Sequence, residues 1–231
     1  MRVITLNCNG LRAAIRKGLF EWLDEVDPDI VCLQEVRFDQ SQFKGKNAPP
    51  NGWHWIQADA SKKGYSGVAI WSKKKPNEVR TEIGLDWADD EGRAVAMIFD
   101  DIEIWSIYFP SGTSGDARQA FKDKFLEFMT EKMMDWSSSK RNILVCGDVN
   151  IAHTALDIFH DKTNAKNSGF LPHEREWMSA ILENGWTDVF RSQNPTKEAY
   201  SWWSNRRKTT RENNVGWRID YQFASDALAQ T

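Results

Sequence analysis

The sequence has few cysteines, no long apolar run and no leader-like segment, and these absences exclude several classes of protein. Its 231 residues include three cysteines, Cys8, Cys32 and Cys146. All three lie in apolar stretches, so we expect buried, reduced thiols rather than a disulfide framework. No stretch approaches the ~18 apolar residues of a membrane span. The first strand-like stretch begins at Arg2, so we expect no secretion signal before it. We therefore expect a soluble, cytoplasmic protein that binds no membrane.

The chain also lacks an excess of basic charge. It carries 30 Lys and Arg residues against 33 Asp and Glu residues, for a formal net charge of −3. This balance argues against nonspecific binding to nucleic acid or to an anionic membrane. A nucleic-acid enzyme with this charge needs a local basic surface, or a metal ion that offsets its own carboxylates. The loop Arg206–Arg211 is a candidate for that surface, and a solvated charged loop is the alternative interpretation.

Strand-like and helix-like stretches alternate along the whole chain, and no linker or repeat divides it, so we predict a single domain over residues 1–231. The start of the chain predicts a parallel strand–helix–strand unit. It has a β-branched stretch at Arg2–Asn7, a helical pattern from Leu11 to Val26 and an apolar stretch at Asp29–Gln34. Further predicted strands are Trp53–Gln57, Gly67–Trp71, Glu78–Ile83, Ala94–Phe99, Ile102–Phe109, Arg141–Cys146, Tyr200–Trp203 and Gly216–Phe223. Further helices are predicted over 116–136 and from Pro172 to a stop at Gly185. The pattern predicts two mixed sheets packed face to face and covered by helices.

Polar residues with oxygen-bearing side chains recur at or near the ends of these predicted strands. They are Asn7, Asn9, Glu35, Tyr108, Asp148, Asn150 and Asp220. Any one of them alone is typical of a solvated turn. In a layered α/β fold, however, strand ends converge on one crevice, and oxygen ligands gathered there suit a hard cation such as Mg²⁺.

Seven short motifs stand in order along nearly the whole chain. They are Leu6-Asn7-x-Asn9-Gly10-Leu11-Arg12, Leu33-Gln34-Glu35, Gly64-Tyr65-Ser66-Gly67, Tyr108-Phe109-Pro110-Ser111-Gly112, Gly147-Asp148-x-Asn150-Ile151-Ala152-His153, Asn167-Ser168-Gly169-Phe170 and Gly216-Trp217-Arg218-x-Asp220-Tyr221. In this order and spacing they resemble the exonuclease III-type abasic-site endonucleases of the endonuclease/exonuclease/phosphatase superfamily.

The resemblance implies a fold, a reaction and a partner. The fold is a four-layer α/β sandwich of two mixed sheets packed face to face and flanked by helices. The reaction is Mg²⁺-dependent hydrolysis of the phosphodiester 5′ to an abasic site, with Mn²⁺ as an alternative ion and trimming of blocked 3′ ends as a side activity. The partner is double-stranded DNA with abasic sites, and we expect the chain to act as a monomer.

The resemblance also implies a metal-ligand set. Glu35 resembles the metal-ligating glutamate of the family, with Asn7 beside it and with Asp148 and Asn150 completing the set. A carboxylate that closes a buried strand is costly unless it is paired or bound to a metal, which favours this role over that of a surface glutamate. For Asn7 the alternative is a turn residue.

Four residues are implied to act on the reacting phosphate. Asp148 resembles the aspartate that aligns or deprotonates the attacking water, and Asn150 the amide that stabilises the charged transition state. By resemblance, Tyr108 contacts the scissile phosphate. Asp220 resembles the aspartate that orients a catalytic histidine, as the acid does in a serine-protease triad.

The remaining candidates are implied to contact DNA. By resemblance, Trp202 and Trp217 occupy the positions that line the pocket for the extruded abasic sugar. Aromatic walls there exclude a base by shape. Core packing of the two tryptophans is the alternative interpretation. The other candidate DNA contacts are Asn9, Arg12, Lys17, Tyr65, Asn164 and Asn167. Of these, Asn164 and Asn167 are implied to hold the target phosphate and sugar, while Arg12, Lys17 and Tyr65 resemble sequence-independent backbone contacts.

One part of the family pattern is missing from the sequence. The family carries a Ser-Asp-His-x-Pro motif well beyond the Asp220 position, whereas Ser225-Asp226-Ala227 follows too closely and lacks the histidine. We expect that the protein continues beyond Thr231. Two other functions stay open: a superfamily phosphatase that acts on a phosphoinositide-like substrate, and a catalytically incomplete paralogue that binds DNA without cleaving it.

Overall fold

The computed structural model describes residues 1–204 and 209–230, which form two compact units. Unit 1 comprises Met1–Tyr108 and Ile143–Asp148, and unit 2 comprises Phe109–Asn142 and Val149–Thr231. Three basic residues of the predicted loop, Arg206, Arg207 and Lys208, lie outside the described residues. Within the described part of the chain, no helix has the length and apolar character needed to cross a membrane. The single domain over 1–231 stays a prediction.

Unit 1 contains most of the strands that the sequence predicted. Its elements are β1 (Val3–Asn7), α1 (Leu11–Arg16), α2 (Leu19–Val26), β2 (Ile30–Gln34), β3 (His54–Ala58), β4 (Val68–Ser72), β5 (Glu78–Arg80), α3 (Asp86–Asp90), β6 (Ala94–Ile98), β7 (Glu103–Tyr108) and β8 (Ile143–Asp148). One mixed sheet has the order β1-β2-β4-β3, and the strands β5, β6, β7 and β8 lie side by side in a second. The pairs β1–β2 and β7–β8 are parallel, whereas the other neighbours in unit 1 are antiparallel.

The two sheets of unit 1 pack face to face, which confirms the prediction. All residues of β2 and β4 are buried, because the second sheet covers one face of these strands and the helices α1 and α2 cover the other. Gln34 Nε2 donates to Ser106 Oγ (2.9 Å), which links β2 to β7 across the interface. The three cysteines are buried thiols, as expected, and burial raises the pKa of Cys8 to about 12.

Two predicted boundaries in unit 1 were wrong. The single helix predicted from Leu11 to Val26 is two helices, because Gly18 adopts a left-handed conformation (φ 94°) that an α-helix does not continue through. The strand predicted at Glu78–Ile83 ends at Arg80, since the backbone N–H groups of Ile83 and the next two residues bond to the Asp89 carboxylate instead.

Unit 2 is built from helices and short antiparallel strand pairs. Its elements are α4 (Asp116–Ser138), α5 (Asp161–Asn164), α6 (Pro172–Glu183), β9 (Trp186–Asp188), α7 (Val189–Gln193), β10 (Trp202–Trp203), α8 (Thr209–Glu212), β11 (Gly216–Trp217), β12 (Asp220–Ser225) and α9 (Asp226–Ala229). The helix α4, predicted over 116–136, buries Phe125, Met129 and Met133.

The strand predicted at Gly216–Phe223 is two strands. β11 pairs with β10 and β12 pairs with β9, and the break between them falls at Arg218 and Ile219. The buried Arg218 guanidinium bonds to Asp157 Oδ1 (2.7 Å) and Asp188 Oδ2 (2.7 Å). A buried guanidinium needs such partners, and the break between the two strands coincides with this ion-pair network.

Candidate active site

Three predicted site residues meet at strand ends in unit 1. Asn7 is the last residue of β1, Asp148 is the last residue of β8, and Glu35 directly follows β2. Asn7 Nδ2 donates to Glu35 Oε1 (2.8 Å) and to Asp148 Oδ2 (2.7 Å), so one amide group holds both carboxylates. Asn9 contributes indirectly, because its backbone N–H donates to Asn7 Oδ1 (2.9 Å) and thereby orients the Asn7 amide.

Glu35 lies in a left-handed backbone conformation (φ 50°), which is uncommon for a residue with a side chain. Hydrogen bonds on both sides of it maintain this conformation: Gly10 N donates to Glu35 O (2.8 Å), and Val36 N donates to Gly67 O (2.9 Å). The carboxylate also forms an ion pair with Arg37. The surrounding strands therefore hold Glu35 where β2 ends, beside Asn7.

Tyr108 ends β7 close to the same two carboxylates. Burial, followed by the negative charges of Glu35 and Asp148, raises the pKa of Tyr108 above its ordinary value, and the nearby Arg93 opposes this in part. The phenol therefore keeps its proton at neutral pH and is able to donate a hydrogen bond.

Arg93 lies at this site although no sequence motif indicated it. Its side chain is 1% exposed, and Nη1 donates to Tyr108 O (2.9 Å) while Nη2 donates to Tyr65 OH (3.1 Å). The guanidinium lies 5.0 Å from the centre of the Tyr108 ring and pairs with Glu91 (2.6 Å). The available signal was an arginine directly before the apolar strand at Ala94, because a buried cation there requires partners.

The predicted DNA-backbone contacts of unit 1 fall into two groups. Arg12 and Tyr65 line a cavity of about 370 Å³ together with Arg37, Lys62 and Lys63. Lys17 follows the last residue of α1, is exposed, and is not part of this lining. The structure therefore brings Arg12 and Tyr65 to one basic cavity and leaves Lys17 apart from it.

The donor set in unit 1 suits a hard cation only in part. No group of three His, Cys, Asp or Glu side chains is arranged for metal binding among residues 1–204 and 209–230. Two carboxylates nevertheless converge on one amide, and their charge raises the pKa of the neighbouring phenol. A divalent ion with oxygen ligands and retained water would offset that charge, so Glu35 and Asp148 fit such an ion.

Unit 2 carries the remaining candidates: Asn150 and Asn167 lie on loops, and the others lie in α5 and in the short strands β10, β11 and β12. Asn150 has a left-handed backbone (φ 57°), and its Nδ2 donates to Phe109 O (3.0 Å). Asn167 Nδ2 donates to Asn164 Oδ1 (2.8 Å), which brings these two predicted contacts together. Asp220 begins β12, where its backbone N–H donates to Ser201 Oγ (3.2 Å).

Trp202 and Trp217 face each other across β10 and β11. Their ring centres are 6.5 Å apart and nearly perpendicular at 85°. Both rings line a cavity of about 1020 Å³, together with Asn167 and Ser168. Trp202 is 44% exposed, which argues against core packing as the reason for this residue.

Comparison with known proteins identifies the family. The sequence matches the Endonuclease/Exonuclease/phosphatase family over residues 4–231. The chain is similar to an exodeoxyribonuclease from Bacillus subtilis, with 38% identity over 236 residues, 100% of this chain and 90% of the relative. It is also similar to a DNA-(apurinic or apyrimidinic site) endonuclease from Dictyostelium discoideum, with 36% identity over 230 residues, 99% of this chain and 63% of that protein.

A solved structure agrees with this result. The structure of an AP endonuclease from Archaeoglobus fulgidus superimposes with a TM-score of 0.89 at 26% identity, covering 100% of this chain and 88% of that chain. The agreement over the full chain confirms the predicted α/β sandwich. Both the motifs and the fold therefore lead to one conclusion: the chain belongs to the endonuclease/exonuclease/phosphatase family.

Proposed function

We propose that the chain is a DNA-repair endonuclease that hydrolyses the phosphodiester 5′ to an abasic site in duplex DNA, with trimming of 3′ ends as a second activity. The observation that carries this proposal is the Asn7 amide, which holds the carboxylates of Glu35 and Asp148 beside the protonated phenol of Tyr108. Hydrolysis of a phosphodiester needs a group that orients water, a group that takes its proton and a donor to the phosphate.

The residues of unit 1 divide these tasks. Asp148 aligns the attacking water and accepts its proton. Tyr108 donates a hydrogen bond to the phosphate, where negative charge develops, because its raised pKa keeps the proton in place. Asn7 fixes the spacing of the two carboxylates, and Asn9 fixes the Asn7 amide.

The family is one of metal-dependent nucleases, and we propose Mg²⁺ as the ion, with Mn²⁺ as an alternative. Glu35 and Asp148 would hold it, with Asn7 at their side. When bound, such an ion polarises a phosphate oxygen and offsets the negative charge of the site.

The residues of unit 2 supply recognition of the lesion and further positioning. The cavity that Trp202, Trp217 and Asn167 line takes the extruded deoxyribose, and Asn167, with Asn164 bonded to it, holds the sugar and phosphate there. Asn150 donates to the transition state. Asp220 has the positioning role that the family motif assigns to it, which is to orient a histidine.

Basic residues of unit 1 contact the flanking DNA backbone. Arg12 and Tyr65, with Lys62 and Lys63 beside them, bind phosphates, and Lys17 makes a separate contact from the end of α1. Contacts of this kind position the protein without reading sequence, and they weaken as salt concentration rises. The chain acts as a monomer on its duplex.

The proposal is tested with a 5′-labelled duplex that carries one tetrahydrofuran abasic analogue. We expect a single cut 5′ to the lesion in Mg²⁺, no cut in EDTA, and no cut in the same duplex without the lesion. Binding to the duplex without a Mg²⁺-dependent cut would instead identify a DNA-binding paralogue, and turnover of a soluble phosphoinositide without cleavage of DNA would identify a phosphatase.

A further inference from the structure

The most deeply buried ion pair in the described part of unit 2 has no role in the proposed chemistry. Lys122 on α4 and Glu174 on α6 are both 0% exposed, and Lys122 Nζ lies 2.6 Å from Glu174 Oε1. Burying two charges costs desolvation free energy, and an apolar pair of similar volume often stabilises a protein at least as well. The attraction between the two charges therefore does not by itself explain why they stand at these positions; Glu174 also caps α6, since its side chain accepts from the N-cap backbone at Leu171.

Both members of the pair also bond to the backbone of loops that carry candidate site residues. Lys122 Nζ donates to Asn150 O (2.8 Å). Glu174 Oε2 accepts from Gly169 N (2.7 Å) and Leu171 N (3.0 Å). The pair thus ties the segment after β8 to the segment that follows Asn167.

The two loops are in close contact at the point where the pair holds them. Ala152 N donates to Gly169 O (2.8 Å). A Cβ added to Gly169, whose φ is 91°, would lie 2.9 Å from Asn150 O and 3.0 Å from Trp217 Cζ3. Only glycine therefore fits at position 169, between the carbonyl oxygen of Asn150 and the ring of Trp217. A small displacement of one loop would move the other loop as well.

We propose that Lys122 and Glu174 are positioning residues for the reaction, and that their buried pair holds Asn150 and the 167–171 loop in register with the Trp217 wall of the cavity. This inference rests on the proposed function, since it assigns the pair to the same reaction. Both side chains are 0% exposed, so the pair acts through the backbone groups to which it bonds, those of Asn150, Gly169 and Leu171.

The structural part of the test is hydrogen–deuterium exchange on the full chain. In Glu174→Gln, one carboxylate oxygen becomes an NH₂ group, so the single remaining oxygen cannot accept both from Lys122 Nζ and from the Gly169 and Leu171 N–H groups. We expect amide exchange in the 167–171 segment to speed up at least tenfold, while exchange in β12 stays within twofold of wild type. Equal protection of the 167–171 segment in both proteins would overturn the proposal, whatever the enzyme does.

The kinetic part of the test is a double-mutant cycle that combines Glu174→Gln with Asn150→Ala and measures cleavage of the abasic duplex. We expect Glu174→Gln to lower kcat about tenfold or more in the wild-type background and less than twofold in the Asn150→Ala background, because the two residues act through one geometry. A merely structural pair would give equal losses in both backgrounds.

Two control variants separate positioning from general destabilisation. His173→Ala removes an exposed contact between the same two helices, in which His173 Nε2 lies 3.0 Å from Asp123 Oδ1. Met133→Ala opens the core on α4 eleven residues along the helix from Lys122, about 16 Å away. Both variants should keep kcat within twofold of wild type below their melting temperatures. A loss of kcat in Met133→Ala equal to the loss in Glu174→Gln would overturn the proposal.

The two proposals fail separately. If the wild-type chain makes no cut in the abasic duplex, the proposed function fails and the exchange measurement alone decides whether the pair holds the loops. If the wild type cuts and the cycle is additive, only the positioning role fails.

Discussion

The two units position their candidate site residues in different ways. In unit 1, Asn7, Tyr108 and Asp148 are the last residues of strands and Glu35 is the next residue after one. Sheet registers set their places: Asn7 pairs with Gln34, and Tyr108 pairs with Asp148. In unit 2, Asn150, Asn164 and Asn167 stand outside β-strands, and the described contacts that hold them come from side chains or from short local turns.

This difference predicts where single substitutions act. A strand end is held by backbone hydrogen bonds to its neighbours, so one side-chain change there alters the chemistry of the site and leaves the strand backbone in place. A loop held by one buried pair loses its geometry when that pair is broken. The following predictions test this contrast, beginning with the largest expected effect.

Substitution of Asp148 by Asn removes the carboxylate that we propose takes a proton from water. We expect kcat on the abasic duplex to fall by ~10²–10⁴-fold, the usual contribution of general acid–base catalysis, with DNA binding retained. Single-turnover cleavage and a filter-binding assay measure the two effects. The exposed hairpin carboxylate Asp101 supplies the control, as Asp101→Asn should be silent.

Substitution of Arg93 by Met tests a buried side chain of unit 1 that donates hydrogen bonds to the Tyr108 backbone and to the Tyr65 hydroxyl. The change leaves Tyr108 O and the Tyr65 hydroxyl without this donor, so we expect the free energy of unfolding in urea to fall by about 1–3 kcal/mol. Because β7 still holds the Tyr108 backbone, the loss of kcat should be much smaller than that of Asp148→Asn. A kcat loss as large as that of Asp148→Asn would break the contrast between the units.

Substitution of Trp202 by Ala tests the cavity of unit 2. The side chain is 44% exposed, so we expect little change in thermal stability. Discrimination between an abasic and an intact duplex should fall about tenfold, within the range that the shape of an apolar pocket provides. Comparison of kcat/KM on the two duplexes measures this ratio, and an unchanged ratio would remove Trp202 from the recognition of the lesion.

The smallest expected effect is the pH dependence of stability that comes from Tyr108. Its pKa is raised in the folded protein, so the folded state holds the phenol proton more tightly than the unfolded chain, in which the ordinary value is about 10. This group therefore has no effect on the pH dependence below about pH 10 and lowers the free energy of unfolding as pH rises above it. Urea titrations from pH 9 upward should show a shallower decline for Tyr108→Phe than for wild type, whereas parallel curves would contradict the raised pKa.

Most of the strands and the polar residues at their ends could be predicted from the sequence, because alternation, apolar runs and turn residues are local signals. The hairpin at Asp100-Asp101 is an example: Phe99 N donates to Ile102 O (2.8 Å) within a few residues. Buried ionic contacts between distant residues left weaker signals. Lys122 lies on the same buried stripe of α4 as Phe125 and Met129, and a lysine among apolar residues was the available indication of a buried partner.

The sequence by itself determined which residue types stand at the strand ends of unit 1 and which family the chain resembles, since both depend on short motifs in a set order. Only the tertiary structure decided which of these groups meet. The Asn7 amide reaches Asp148 across 141 positions of the chain, and Lys122 reaches Glu174 across 52. Local pattern carries no information about such pairs, because sheet register and the desolvation cost of buried charge select them only once the chain has folded.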